Sequence, residues 1–388
     1  MKRRQVITTA AFGLGSATLA ACGGQGNKQR QISSPTVIGG DQPRIRWRLA
    51  TSWPKSLDTM YGGAVAVAER VGEMSDGYFE ITPHAAGELV PGLKVLDAVQ
   101  EGSAECGHTA SYYYIDKNPA FAFGSAVPFG LSTQQQNAWF YEGGGNEAMN
   151  RLFGKFDVLG FPAGNTGPQM GGWFKQRVNT VADLQGLKMR IPGLGGEVMS
   201  TLGVHVQALP GGEIFSALEE GAIDAAEWVG PYDDEKLGLQ KVAKYYYHPG
   251  WWEPGTALHI FVHRKTWDAL PKAYQHMFRT AASEVNLQML ARYDERNGDA
   301  LRRLVAEGTT LVPYSDSILK SAEQASFEIY EDHAIKNQEF RRIYEPWSHF
   351  RENILHWSNV KESMKNTLPI ALRTEILRKA CMSSVRIF

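Results

Sequence analysis

Between Asp183 and Trp228 the chain alternates strand and helix signals at short intervals, a pattern that an open α/β sheet absorbs. A loop ending Asp183-Leu184-Gln185-Gly186 leads into a short apolar-basic strand, Leu187 to Ile191. Pro192-Gly193 stops it, because proline cannot continue a ladder and glycine permits a turn. Glu197 to Leu202 reads as a helix closed by Gly203, and His205 to Leu209 as a strand closed by Pro210-Gly211. A second helix, Glu213 to Glu220, and a last strand, Ile223 to Trp228, complete the run. The first strand ends on Arg190, at the edge where open α/β sheets bind ligands. Its planar fork can donate two parallel hydrogen bonds to a carboxylate. It could equally pair with a structural acid, and the local pattern leaves those readings level.

The same alternation precedes it. Arg44 to Trp53 alternates like a strand, Met60 to Met74 has helical spacing, and Phe79 to Pro83 is a strand. Gly92 to Gly102 is a helix and Glu105 to Ala110 another strand. That order predicts a parallel sheet with helices on both faces. Ser111-Tyr112-Tyr113-Tyr114 follows the last strand, either as a packing rim or as a ligand wall. Gln134 to Phe153 reads as one helix, and Phe156 to Pro162 as the strand that opens a second domain. In Asn165 to Phe174 the glycines let backbone approach a ligand, with Gln169 as the polar group presented; a plain hairpin turn is the alternative. Leu258 to His263 is a returning strand. Lys272 to Ala306 is a long, strongly periodic helix, and Ser317 to Glu331 and Phe340 to His356 are two more.

The start is an address. Lys2-Arg3-Arg4, an apolar Val6 to Ala21 and Leu19-Ala20-Ala21-Cys22 form a lipoprotein-type signal over residues 1–22, with Cys22 as the lipid acceptor. Residues 23–43 read as a flexible tether. What remains, about 345 residues, favours two domains over one. The expected division is a first α/β domain at 44–155, a second at 156–260, returning strands and helices at 261–360, and an atypical tail at 361–388. A formal net charge of −1 and no basic run argue against nucleic acid. Only Cys106 and Cys381 remain after Cys22, too few for a disulfide framework or a zinc spacing.

Three motifs carry a resemblance. Leu184 to Arg190 is L-x-G-x-K-x-R, Leu202 to Leu209 is L-G followed five residues later by Leu, and Glu213 to Asp224 is E-x-x-x-A-L-x-x-G-x-I-D. In that order they resemble the extracytoplasmic solute receptors of the tripartite ATP-independent periplasmic (TRAP) transporters, and within them the receptors for 2-oxo acids such as pyruvate. The resemblance implies a two-domain periplasmic binding protein fold of α/β class, with a ligand cleft between mixed sheets and a long helix spanning the hinge. It implies a periplasmic receptor that hands its ligand to a membrane permease, without catalysis, and a possible homodimer. It places the carboxylate clamp on Arg190 and a bridging cation, Na⁺ or Ca²⁺, on Gln169, Glu227, the Trp228 carbonyl and Glu253. Tyr114, Trp252 and Asn165 are its further ligand contacts. An oxygen-only donor set suits a hard cation rather than zinc or copper.

Rival readings follow from the same residues. Glu227 with Glu253 could be a carboxylate pair for glycoside hydrolysis. A receptor feeding an ATP-driven importer would share the cleft, and lactate, sugar acids or dicarboxylates are alternative ligands. His205, His259 and His263 are expected in the core, and Asp233-Asp234-Glu235 as a solvated helix cap.

Overall fold

Along Ile45–Thr51 (β1), Trp47 and Leu49 point into a core while Arg46 and Arg48 face water, the period-2 signature of a strand with one wet face. The computed structural model describes residues 42–365. The signal with Cys22, most of the tether, and the tail beyond residue 365 with Cys381 lie outside the described residues.

The strands after β1 are Phe79–His84 (β2), Cys106–Thr109 (β3), Val158–Asn165 (β4), Trp173–Phe174 (β5) and Lys188–Arg190 (β6). His205–Gln207 (β7), Ala225–Ala226 (β8), Tyr245–His248 (β9), Ala257–His263 (β10) and Thr310–Pro313 (β11) follow. They form a five-stranded sheet, β2-β1-β3-β10-β4, and a six-stranded sheet, β11-β9-β5-β8-β6-β7. Both are mixed. β1 runs parallel to β2 and β3, while β10 is antiparallel to β3 and β4. In the second sheet β6 is parallel to β7 and β8, and β5 is antiparallel to β8 and β9. β10 is buried along nearly its whole length, which is why it reads as an unbroken apolar run.

The chain passes between the sheets three times: through residues 166–172, through residues 249–256, and along the helix Lys272–Ala306. At 1.5 Å per residue that 35-residue helix is about 50 Å long. Its first half packs Tyr274, Phe278 and Val285 into the core that holds Trp47 and Phe79. Its second half puts Met289, Tyr293 and Leu304 with Trp173, Trp228 and Tyr246 of the other sheet. One rigid element thus joins both cores, as the long periodic stretch implies.

Some expectations shift. The strand predicted to open a second domain is β4, an edge strand of the first sheet that pairs with β10; that pairing spans about a hundred residues, and no local pattern reports it. The single helix expected over Gln134 to Phe153 is two, Thr133–Tyr141 and Gly145–Phe153. The break falls at Gly144, whose φ of 80° belongs to the left-handed region glycine adopts at little steric cost. The strand expected over Ile223 to Trp228 keeps ladder bonds only at Ala225–Ala226. Cys106 is a buried free thiol. Among the described residues no helix is long and apolar enough to cross a membrane.

Candidate functional site

Arg190 closes β6, opposite Gln207 of β7 and Ala226 of β8. The ladder continues one step, with the Glu227 amide donating to the Arg190 carbonyl at 2.9 Å. That step places Glu227 beside the guanidinium. Arg190 Nη1 donates to the Glu227 carbonyl at 2.9 Å and to its Oε2 at 2.6 Å. Nε donates to the Leu209 carbonyl at 3.1 Å, and the Trp228 ring lies 5.0 Å from the guanidinium carbon. Both side chains of the pair are 1% exposed. Arg190 Nη2 and Glu227 Oε1 have no partner. Buried polar groups are nearly always bonded, so an idle charged donor and an idle acceptor within one ion pair make this the candidate site.

The two loop crossings bring the other groups. Thr166 N–H donates to the Thr256 carbonyl at 3.0 Å, and Gln169 N–H to the Glu253 carbonyl at 3.1 Å, so the crossings lie side by side. They approach closely because residue 250 is glycine: a Cβ there would sit 2.4 Å from the Gln169 carbonyl oxygen. The Gln169 amide nitrogen donates to the hydroxyls of Thr166 at 3.1 Å and Thr256 at 3.2 Å, which orients its Oε1, also buried and unpartnered. Glu253 Oε2 accepts from the Thr256 hydroxyl at 2.6 Å and the Tyr112 hydroxyl at 3.4 Å. Trp252 is buried against Trp251 and Tyr314, its indole N–H unpartnered.

Two buried carboxyls therefore share one guanidinium. Burial first, and then the Glu253 charge, drive the Glu227 pKa well above the ordinary carboxylate range, with Arg190 opposing. Burial raises Glu253 to about 7 against the Thr256 hydrogen bond and Arg190. Burial works most strongly against the Arg190 charge, but Glu227, Tyr113, Tyr112 and Glu253 together outweigh it and the guanidinium pKa rises. The site carries surplus acid, which a bound cation would relieve.

Not every expected residue reaches the site. Tyr114 turns into the first core, its hydroxyl accepting from the Leu96 amide at 3.1 Å and bonded to the Thr109 hydroxyl at 3.0 Å. The tight 3₁₀ turn Ser111–Tyr114 points its tyrosines in different directions, and Tyr112 and Tyr113 face Glu253 and Arg190 instead. Asn165 spends its amide within the protein: Oδ1 accepts from the Thr133 hydroxyl and the Gly167 amide, and Nδ2 donates to Gln136. Asp233 and Asp234, expected in solvent, are fully buried. His259 is a core residue, whereas His205 is exposed. Tyr112, Thr166 and Thr256 had no local signal beyond the tyrosine triplet. A crevice of about 310 Å³ lined by Tyr112, Tyr113, Ile191, Pro192 and Gln207 adjoins the site. Among the described residues, none of those lining the crevice of about 350 Å³ between Tyr141, Asn150 and Arg279 has an orphaned buried polar atom.

Buried acceptors from two segments that cross between the mixed sheets, Gln169 and Glu253, thus stand with a half-free arginine at a strand end, an arrangement that suits a solute-binding receptor. The chain belongs to the bacterial extracellular solute-binding proteins of family 7, the DctP family, whose pattern matches residues 49–337. It is 58% identical over 362 residues to a monocarboxylate 2-oxoacid-binding periplasmic protein of a Nostoc species, covering 93% of this chain and 97% of that protein. A TRAP transporter solute binding protein from Bordetella bronchiseptica, with calcium and picolinate bound, superposes with a TM-score of 0.84 at 45% identity, covering 86% of this chain and all of that one. One from Pseudoalteromonas atlantica, with sodium and pyruvate bound, gives 0.81 at 36% identity, covering 84% and 99%. The kinship to TRAP receptors expected from the three motifs holds.

Proposed function

We propose that this protein is the periplasmic receptor of a TRAP transporter and binds a small 2-oxo monocarboxylate together with Na⁺ or Ca²⁺. The observation that carries the reading is the set of three buried, unpartnered atoms, Arg190 Nη2, Glu227 Oε1 and Gln169 Oε1. One is a charged donor suited to a carboxylate, and two are oxygen acceptors suited to a hard cation. Among the described residues no three His, Cys, Asp or Glu side chains gather as a metal cluster, so a cation here would draw on amide and carbonyl oxygen as well. Gln169, Glu227, the Trp228 carbonyl and Glu253 would hold it. When bound, it supplies charge compensation for the two acids and an anchor for carboxylate and keto oxygens. Arg190 orients the carboxylate, and the Trp252 indole N–H is a further donor for ligand oxygen. Relatives with such ligand sets support this reading.

On the same reading the ligand is released unchanged to a membrane permease, the two sheet-based lobes close over it, and the protein works tethered through a lipid on Cys22. Pairing of two copies is compatible with the dimer named for the Bordetella relative. The test is calorimetric titration of the mature protein with pyruvate in sodium, in calcium and after chelation. Tight binding that requires the cation is the expected result. Binding indifferent to cation would remove Gln169, Glu227 and Glu253 as its ligands, and no binding would redirect the search to lactate, sugar acids and dicarboxylates.

A further inference from the structure

Six residues beyond Glu227 stands a second pair of buried acids that the site does not use. Asp233 and Asp234 are 0% and 1% exposed, and among the described residues no Lys or Arg bonds to either. Asp234 is nonetheless saturated, and only by neutral donors. Its Oδ1 accepts from the amides of Val229 at 3.2 Å and Gly230 at 3.0 Å; its Oδ2 accepts from Trp173 Nε1 at 2.8 Å and the Tyr246 hydroxyl at 2.7 Å. Trp173 and Tyr246 are neighbours on β5 and β9, stacked with centroids 4.0 Å apart, so Oδ2 is tied to rigid sheet while Oδ1 holds a loop.

That loop begins with the proposed cation ligands. Upstream, the Glu227 amide is bonded to the Arg190 carbonyl; at its centre, the Val229 carbonyl accepts from Met170, the neighbour of Gln169. Downstream, only the Asp234 side chain ties the amides of Val229 and Gly230 to the sheet. Glu227 and Trp228 are thus held between fixed points, and removing the Asp234 anchor frees one end. A buried acid without a cationic partner is costly to retain.

Building on the cation reading above, we infer that Asp234 is a positioning residue that sets the Glu227–Trp228 segment for cation binding. Outer partners of metal ligands cost about 10- to 100-fold in metal affinity when mutated. Asp234→Asn keeps an acceptor for the two amides and removes the charge; Asp234→Ala removes both. Calcium affinity is titrated first without organic ligand, and pyruvate affinity then at saturating calcium, beside thermal unfolding. For Asp234→Ala the expected result is a loss of about tenfold in calcium affinity with little change in pyruvate affinity at saturating calcium. Asp234→Asn, which keeps the acceptor for both amides, retains most of the calcium affinity. Tyr246→Phe, which removes one Oδ2 bond but neither amide bond, loses stability and keeps calcium affinity. Wild-type calcium affinity in Asp234→Ala overturns the inference, as does a loss in Asp234→Asn equal to that in Asp234→Ala, or a parallel fall in both affinities that tracks lost stability across all three variants. Failure of the wild-type protein to bind calcium would instead defeat the reading on which this rests.

Discussion

Glu227 with Glu253 and Asp233 with Asp234 are two buried carboxylate pairs a few residues apart along the chain, and they differ in what surrounds them. In the first pair Glu227 is bonded to Arg190 and keeps Oε1 without a partner, while Glu253 is held by Thr256 and Tyr112. In the second, Asp234 is saturated by four neutral donors, and Asp233 takes the Tyr293 hydroxyl at 2.5 Å on Oδ2 but leaves Oδ1 without a partner. Burial raises the pKa of both pairs, so a raised pKa does not distinguish a binding site from a structural joint. A lone idle acceptor does not either, since Asp233 Oδ1 is one; the first pair differs in having an idle charged donor, Arg190 Nη2, in the same ion pair as an idle acceptor, Glu227 Oε1.

The largest effect expected is at the shared cation. Arg190→Met should abolish detectable pyruvate binding, a loss of ~3 kcal/mol or more, since the ligand carboxylate loses its charged partner. Calorimetry checks it, with thermal unfolding as the control for fold; near-native affinity would take Arg190 out of the site. Glu227→Gln should weaken calcium by about 10- to 100-fold, and an unchanged calcium titration would erase the distinction between the pairs.

The second pair predicts a pH effect of opposite character from a paired surface acid. Burial raises Asp233 to about 7 and Asp234 to about 6, against an ordinary value of 3.8. Between those values the folded protein holds protons that the unfolded chain has released. Stability is therefore fully present below about pH 4 and falls as pH rises toward 7, by a few kcal/mol in order of magnitude. Thermal unfolding in chelator at pH 5 and pH 8 should show a smaller drop for Asp233→Asn than for the native protein. Equal slopes would mean that Asp233 does not titrate in this range. The smallest effect is at a tyrosine that only the fold could assign. Tyr114→Phe strands the buried Leu96 amide and should cost about 1–2 kcal/mol of stability with pyruvate affinity intact. A large loss of affinity there would return Tyr114 to the site.

Much of this was legible because the signals are local. The helices Met60–Met74 and Lys272–Ala306 follow from apolar spacing, and Arg190 from a strand halted by Pro192-Gly193. Glu227, Gln169 and Glu253 were reached through the family motifs rather than from spacing, and the structure brings them together. What was misread depends on direction or distance. Tyr112, Tyr113 and Tyr114 are chemically identical, and only the 3₁₀ turn decides which face Arg190. Asp233-Asp234-Glu235 looks like a solvated run until Trp173, Tyr246 and Tyr293 close over two of its three members; Glu235 alone stays near solvent, paired with Arg303.

By itself, then, the sequence determined the α/β class, the receptor family and the position of Arg190 at a strand end, because periodicity, turn residues and spaced motifs act within a few residues of one another. The tertiary structure alone decided that β4 joins the first sheet, that Tyr114 and Asn165 bond within the scaffold, and that Asp234 is saturated while Glu227 keeps an idle oxygen. Those outcomes rest on hydrogen bonds between residues tens to hundreds of positions apart, where no local preference operates.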